Sequence, residues 1–226
     1  MNPIRKILWR IRKTGVLQTL LWLQSHFSTW YREWSRGIDT RGRLPLDAEA
    51  DNGCNGYEPI MYECLDGIFR HLEVTGSDVL VDYGSGKGRV LIEAATYPYM
   101  RIEGVEYEKS LIDDCLNNFR AFRADLIDHR VKIHHCDARD FEIPADATHL
   151  FIWNSFIGPV LQAVIDRVRA HTKAVDHVVH LIVALPSGET ESLAVYREFG
   201  DPEIVTARFW TGADIYHYQV NRKSRD

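Results

Sequence analysis

Apolar residues recur along this chain with two different periods, and the change between them marks its parts. Ile4, Ile7, Leu8 and Ile11 share one helical face while most of the cations take the other, until Thr14-Gly15 breaks the register. From Val16 onward, Leu20, Leu23, Phe27, Trp30 and Trp34 alternate spacings of four and three, and Leu17, Leu21 and Tyr31 widen the stripe. Two amphipathic helices are predicted, as a hairpin packed on the rest of the protein or as an anchor for an anionic surface. Residues 37–55 hold Gly, Asp and Ala with no steady period, which predicts a linker. Beyond it the spacing predicts helices over 59–72, 87–96, 110–124, 159–171 and 191–199. Short apolar strands are predicted between them at 78–82, 101–106, 131–135, 149–153 and 178–184. Two last strands, 203–210 and 214–220, lie close enough to pair as a hairpin. Such alternation implies an α/β fold with seven strands, mostly parallel and covered by helices on both faces, with an antiparallel C-terminal pair.

Composition adds a boundary and removes several classes. The 226 residues, 45% of them hydrophobic and 26% charged, suffice for one sizeable core with an appendage. Up to Arg43 there are nine Lys or Arg against Glu33 and Asp39, so this part carries +7 and the remainder −12. The resulting division is a basic amphipathic helical extension over 1–43, a linker over 44–56 and one domain over 57–226. Cys54, Cys64, Cys115 and Cys136 show no C-x-x-C spacing, which argues for reduced thiols in a cytoplasmic protein. No apolar run approaches the roughly 18 residues of a membrane span. The basic start resembles a signal peptide only until Gln18 and Thr19 interrupt its core, and no Ala-x-Ala follows. The expected location is the cytoplasm, with the basic helices able to hold the protein peripherally at a membrane surface or on nucleic acid.

Val79-Leu80-Val81-Asp82-Tyr83-Gly84-Ser85-Gly86-Lys87-Gly88-Arg89-Val90 carries the strongest chemical signal. An apolar strand ends at an acid, and three alternate glycines lead into a helix, so backbone N–H groups can come close to a ligand at a helix N-terminus. The spacing is neither G-x-G-x-x-G nor G-x-x-x-x-G-K-[ST], so the expected nucleoside is something other than NAD or ATP. Lys87 is accordingly read as a solvated lysine at a helix start. In open α/β sheets ligands sit outside the carboxyl ends of the strands, and here those ends hold Asp82, Glu106, Asp137-Ala138 and Trp153-Asn154. Glu106 stands 18 residues past Gly88, where a carboxylate can accept both hydroxyls of a ribose. Asp137 can accept from an adenine amino group while the backbone of Ala138 faces a ring nitrogen. His134, His135 and Cys136 are metal-ligand types, but neighbours on a strand point to opposite faces, so no metal is expected.

These residues resemble the class I S-adenosylmethionine-dependent methyltransferases, whose landmarks are an acid-x-Gly-x-Gly-x-Gly loop, an acid ending strand two and an acid after strand three. The match runs from Tyr57 to Val220 and implies a Rossmann-like fold with S-adenosyl-L-methionine as cofactor, held by Asp82, Gly84, Ser85, Gly86, Gly88, Glu106, Asp137, Ala138 and Asn154. Within the class, Asn154-Ser155-Phe156-Ile157-Gly158-Pro159 is similar to the Asn-Asn-Phe-x-Phe-Gly-Pro stretch of the non-SET histone lysine methyltransferases of the disruptor-of-telomeric-silencing kind. Tyr57-Glu58-Pro59 resembles the same family's Tyr-Gly-Glu loop. Amine methyltransferases of the class commonly place Asn or Asp at the position of Asn154, where it accepts a hydrogen bond from the attacking nitrogen. The resemblance implies in-line methyl transfer to an amine of a protein or small molecule, with Tyr57, Glu58 or water taking the ammonium proton and Trp153 and Phe156 walling the acceptor slot. Two other readings keep the fold: a binding protein that senses the cofactor without turnover, and a nicotinamide oxidoreductase. The latter lacks a Tyr-x-x-x-Lys pair and leaves Asp137 without a role.

Overall fold

The computed structural model describes residues 3–42, 53–205 and 213–221. Most of the predicted linker therefore lies outside the described residues, as does the part of the strand predicted over 203–210 that follows Val205. Seven strands form one sheet: β1 Val79–Tyr83, β2 Arg101–Glu106, β3 Val131–His135, β4 His149–Trp153, β5 Val179–Pro186, β6 Glu203–Val205 and β7 Ala213–Val220. Their spatial order is β3-β2-β1-β4-β5-β7-β6. The first five are parallel, and β7 runs antiparallel between β5 and β6. Chain order reverses between β1 and β4, which opens a crevice above their carboxyl ends.

Seven α-helices accompany the strands: α1 Pro3–Thr14, α2 Val16–Arg36, α3 Tyr62–His71, α4 Arg89–Ala94, α5 Lys109–Arg123, α6 Gly158–Ala174 and α7 Glu191–Val195. Alternate strand residues feed two cores. Leu80, Ile102, Phe151 and Ile182 meet Ile68, Phe69, Leu91 and Phe119 on one face, while Val81, Tyr83, Leu150, Ile152 and Leu181 meet Val164, Ile165 and Val168 of α6 on the other. Strands buried on both faces read as continuous apolar runs, which is why β1 and β4 were legible. The helix predicted over 87–96 is shorter in the structure, because Gly88 takes φ +83° and α4 can begin only at Arg89. The helix predicted over 191–199 is α7 followed by a 3-10 turn over 196–199.

The N-terminal helices do pair with each other, but the apolar stripe of α2 does not pack on the domain as the hairpin reading expects. The buried side chains of α2 are Thr19, Ser25 and Glu33, and Leu17, Leu20, Phe27, Trp30, Tyr31 and Trp34 are exposed. Its last turns are held by polar contacts: Arg32 grips Asp66 with two hydrogen bonds (2.9 and 2.6 Å), and Arg36 reaches Glu93 (2.7 Å). Gly37 ends α2 with φ +69°, its N–H returning to Glu33 and Trp34. Ile38 then enters the core, and Asn118 brackets the backbone of Asp39 by accepting from its N–H (2.8 Å) and donating to its carbonyl (3.1 Å).

Candidate active site

The crevice has a volume of about 1080 Å³ and is lined by the ends of β1, β2 and β4, the loop after β3 and residues 54–60. Every residue expected to hold the cofactor lines it except Gly86 and Gly88. Those two shape it from behind: a Cβ on Gly86 would strike the ring of Tyr57, and one on Gly88 would strike the Cys115 sulfur. Gly84 is closed in the same way by Ser155. Their φ angles of +75°, +52° and +83° reinforce the need for glycine.

The amides of this loop do not form the open cradle expected from the sequence. Gly84 and Ser85 donate to the Val105 carbonyl (2.9 and 3.0 Å), Gly86 to Glu106 Oε2 (2.8 Å) and Gly88 to the Ser85 carbonyl (2.9 Å). The glycines serve close packing, and the unsatisfied polarity lies one step earlier, at Asp82. Its carboxylate is 2% exposed, and Oδ2 has no hydrogen-bond partner. Burial, with neighbouring Glu106 adding to it, pushes the Asp82 pKa well above the ordinary carboxylate range. A buried carboxylate left in this condition is costly, and a cation in the crevice would relieve it.

Glu106 is more fully used than expected. Burial pushes its pKa up, and three backbone N–H groups, from Gly86, Tyr107 (3.0 Å) and Glu108 (2.9 Å), counter this by stabilising the charge. A carboxylate has about four acceptor sites. Three are occupied, so ribose hydroxyls would have to share the carboxylate with these amides. Asp137 is likewise engaged: the Arg139 guanidinium meets both of its oxygens (2.7 to 3.1 Å) and holds its pKa below the usual range. It can accept from an adenine amino group only if the exposed Arg139 side chain swings away. Ala138 is buried beside it and lines the crevice.

Asn154 follows β4 with φ +41°, a left-handed conformation that Asn tolerates better than most residues. Its backbone carbonyl and Oδ1 both accept from Asn55 Nδ2 (2.7 and 3.2 Å), so the carboxamide is oriented at the crevice wall. Ser155 donates to the Tyr83 and Trp153 carbonyls (both 3.0 Å), fixing the same turn. Trp153 and Phe156 line the crevice as expected; the Trp153 indole donates to the Glu58 carbonyl (2.7 Å), and Phe156 packs edge-on to Tyr83. Glu58 is exposed at the rim. Tyr57 departs from its expected part in proton removal. Its hydroxyl donates away from the crevice to the Thr40 carbonyl (2.6 Å), and burial raises its pKa, so the ring is a wall and the phenol is no base.

Beside that ring lies a buried polar hub that sequence reasoning missed, and its Arg89 also lines the crevice. Arg89 donates to Glu33 (2.9 Å), Thr40 Oγ1 (2.7 Å) and the Ile60 carbonyl (2.8 Å) and lies over the Tyr62 ring. Glu33 also accepts from Thr40 Oγ1 (2.5 Å). Lys87 is tied to Asp114 (2.9 Å) and does not line the crevice. His134 pairs with Glu103 (2.7 Å), and His135 meets the Tyr107 carbonyl (3.1 Å). Among the described residues, one trio has metal-ligand spacing, His71, Glu203 and His217, far from the crevice at the opposite edge of the sheet.

No protein-family profile matches the chain, and no curated protein matches it in sequence. Solved structures do match it in shape. One is an RNA methyltransferase from Salinibacter ruber in complex with S-adenosyl-L-homocysteine, at TM-score 0.54 and 21% identity, covering 74% of this chain and 95% of that one. A precorrin-6y C5,15-methyltransferase from Geobacter metallireducens aligns at TM-score 0.56 and 17% identity, over 78% of this chain and 97% of its own. A putative S-adenosyl-L-methionine-dependent methyltransferase from Methanococcus maripaludis aligns at TM-score 0.54 and 15% identity, over 73% and 86%. The fold is that of the S-adenosylmethionine-dependent methyltransferases. Within this methyltransferase fold, the crevice at the β1/β4 reversal is where the sheet rules place a ligand.

Proposed function

We propose that this protein is an S-adenosyl-L-methionine-dependent methyltransferase acting on an amine nitrogen of a protein, such as a lysine, or of a small molecule. One observation carries the reading: the buried Asp82 carboxylate, with an unpartnered oxygen, stands at the head of the crevice under a glycine turn. An ammonium group would supply the missing charge, and ribose hydroxyls would share the Glu106 carboxylate with its amides. When bound, the sulfonium cofactor supplies an activated methyl group, so the protein's task is alignment, which can contribute about 7 to 11 kcal/mol. Asn154, held by Asn55, would accept a hydrogen bond from the incoming nitrogen, and Trp153 and Phe156 would keep it dry. The resemblance of Asn154-Ser155-Phe156-Ile157-Gly158-Pro159 to histone lysine methyltransferases supports an amine acceptor. The solved neighbours act on RNA and precorrin by their titles, and those substrates remain theirs. The working part is the domain over 57–226, and the basic extension over 1–43 would bring it to an anionic surface in the cytoplasm.

Calorimetry with S-adenosyl-L-methionine and with NAD tests the cofactor. Tight NAD binding with no response to S-adenosyl-L-methionine would sink the proposal. Transfer of a radiolabelled methyl group to protein, nucleic-acid and metabolite fractions of a lysate then identifies the acceptor; label confined to nucleic acid phosphates, sugars or carbons would exclude the amine reading.

A further inference from the structure

Helix α2 is built inside out. Its protein-facing side chains are polar, whereas Leu17, Leu20, Phe27, Trp30, Tyr31 and Trp34 are between 45% and 68% exposed. Their spacing puts them on one helical face. From Leu17 to Trp34 that face runs about 25 Å. The rings pack on one another, Trp30 stacked on Trp34 at 5.8 Å and Phe27 tilted to Trp30 at 5.7 Å, so the stripe is continuous. α1 adds exposed Leu8 and Trp9 together with exposed Arg5, Arg12 and Lys13. Residues 3–32 contain no acid at all. The two acids that follow in the extension are already committed, Glu33 beneath Arg89 and Asp39 against Arg41.

We infer that α1 and α2 lay the protein on an anionic lipid bilayer, with the α2 stripe sunk to the headgroup boundary and the α1 cations on lipid phosphates. The inference rests on the proposed anionic surface and narrows it to lipid. Nucleic acid would use the cations and stack on flat rings, but it gives Leu8, Leu17 and Leu20 nothing, and these gain only by leaving water. A second copy of the chain is disfavoured by charge, since a two-fold contact would bring α1 cations together with no acid in residues 3–32 to pair them. A lipid interface suits aliphatic, tryptophan and cationic side chains at once. The helices lie on the bilayer and do not cross it: among the described residues no helix is long and apolar enough to span, and the other face of α2 carries Arg32, Glu33 and Arg36.

The test is co-sedimentation of the full chain with phosphatidylcholine vesicles, with and without phosphatidylglycerol, beside retention on single-stranded RNA. Binding is expected only to the anionic vesicles, weakening as salt rises. Leu17→Asp and Leu20→Asp should each weaken it about tenfold, while circular dichroism and S-adenosyl-L-methionine binding stay unchanged. Arg5→Gln with Arg12→Gln should remove the preference for anionic lipid. Equal binding to both vesicle types, or indifference to the Asp variants, would overturn the inference. So would a dimer in sedimentation equilibrium that the Asp variants dissociate. Retention on RNA without vesicle binding would sink the lipid inference and keep the anionic-surface reading; binding to neither would remove both.

Discussion

Asp78 and Asp82 stand at the two ends of the same strand, and their surroundings could hardly differ more. Asp78, just before β1, is partly buried, yet it accepts from the Thr75 N–H and hydroxyl (both 2.8 Å) and the Thr148 hydroxyl (3.0 Å). Burial works against its charge, but these bonds and nearby His149 win, and its pKa is lowered. Asp82 is buried with an oxygen left over, and its pKa is raised. The contrast extends across the sheet. At the Asp78 end a row of histidines is joined ring to ring: His71 to His217 (2.9 Å), His217 to His180 (2.8 Å), and His180 stacked on His149. Both ring-to-ring bonds can be made at once, with His217 accepting at one nitrogen and donating its N–H from the other. Burial, with the neighbouring rings, pushes His217 down to about 4, and burial first, then His180, pushes His149 down to about 3. Perturbed titration and unmade bonds thus occur at both ends of the sheet, since buried His149 Nε2 also lacks a partner; what marks Asp82 is that it lines a crevice a ligand can enter.

The sharpest way to break that comparison is to exchange the acids. Asp82→Asn should weaken S-adenosyl-L-methionine binding by about 30-fold or more, since a buried charge partner is worth about 2 to 5 kcal/mol. Asp78→Asn should leave affinity unchanged and lower stability by about 1 to 3 kcal/mol. Calorimetry and denaturant melts read both, and the reverse pattern would exchange the roles of the two ends. Asn154→Ala should keep cofactor affinity while turnover falls about 100-fold, from lost alignment alone. Unchanged turnover would remove Asn154 from the site.

Acid should separate the ends in a different way. The histidine pKa values are depressed by folding, so their stabilising contribution is complete above about 6.5 and is lost as pH falls toward about 4 for His217 and about 3 for His149. Asp78, also depressed, loses its contribution in the same direction below the ordinary carboxylate range. Asp82 is the opposite case. Its raised pKa means that ionisation costs stability as pH rises, and that binding a cationic cofactor weakens as pH falls through that raised value. Denaturant midpoints and cofactor affinity measured over one pH series should therefore decline together but for different reasons, and a His217→Gln variant should flatten only the first. The smallest effect expected is that of Tyr57→Phe: about 1 kcal/mol of stability for the lost bond to Thr40, with turnover retained. Loss of turnover with stability intact would return Tyr57 to the chemistry.

The fold was legible because strands such as 79–83 and 149–153 are apolar on both faces and end in polar residues at one end. Asp82, Glu106 and Asn154 could be found by reading those ends. Asn55 could not, because its partner lies 99 residues away and nothing local marks the pair. The occupancy of Glu106 and Asp137 was equally hidden, since it depends on which amides and which guanidinium fold onto them. The orientation of α2 shows the deeper limit. Periodicity identified which side chains share a face and was silent on which face is inside, and here the polar side was buried by Arg32, Glu33 and Arg36.

The hub of Arg89, Glu33 and Thr40 has a bearing on descent. Arg89 comes from the start of α4 and two of its partners, Glu33 and Thr40, from the extension, so a buried ion pair joins the two parts. A relative lacking residues 1–40 would lose Glu33 and Thr40, leaving Arg89 with the Ile60 carbonyl, the Tyr62 ring and the water that then reaches it. A lineage that shed the helices would therefore be released from the need for a guanidinium at position 89.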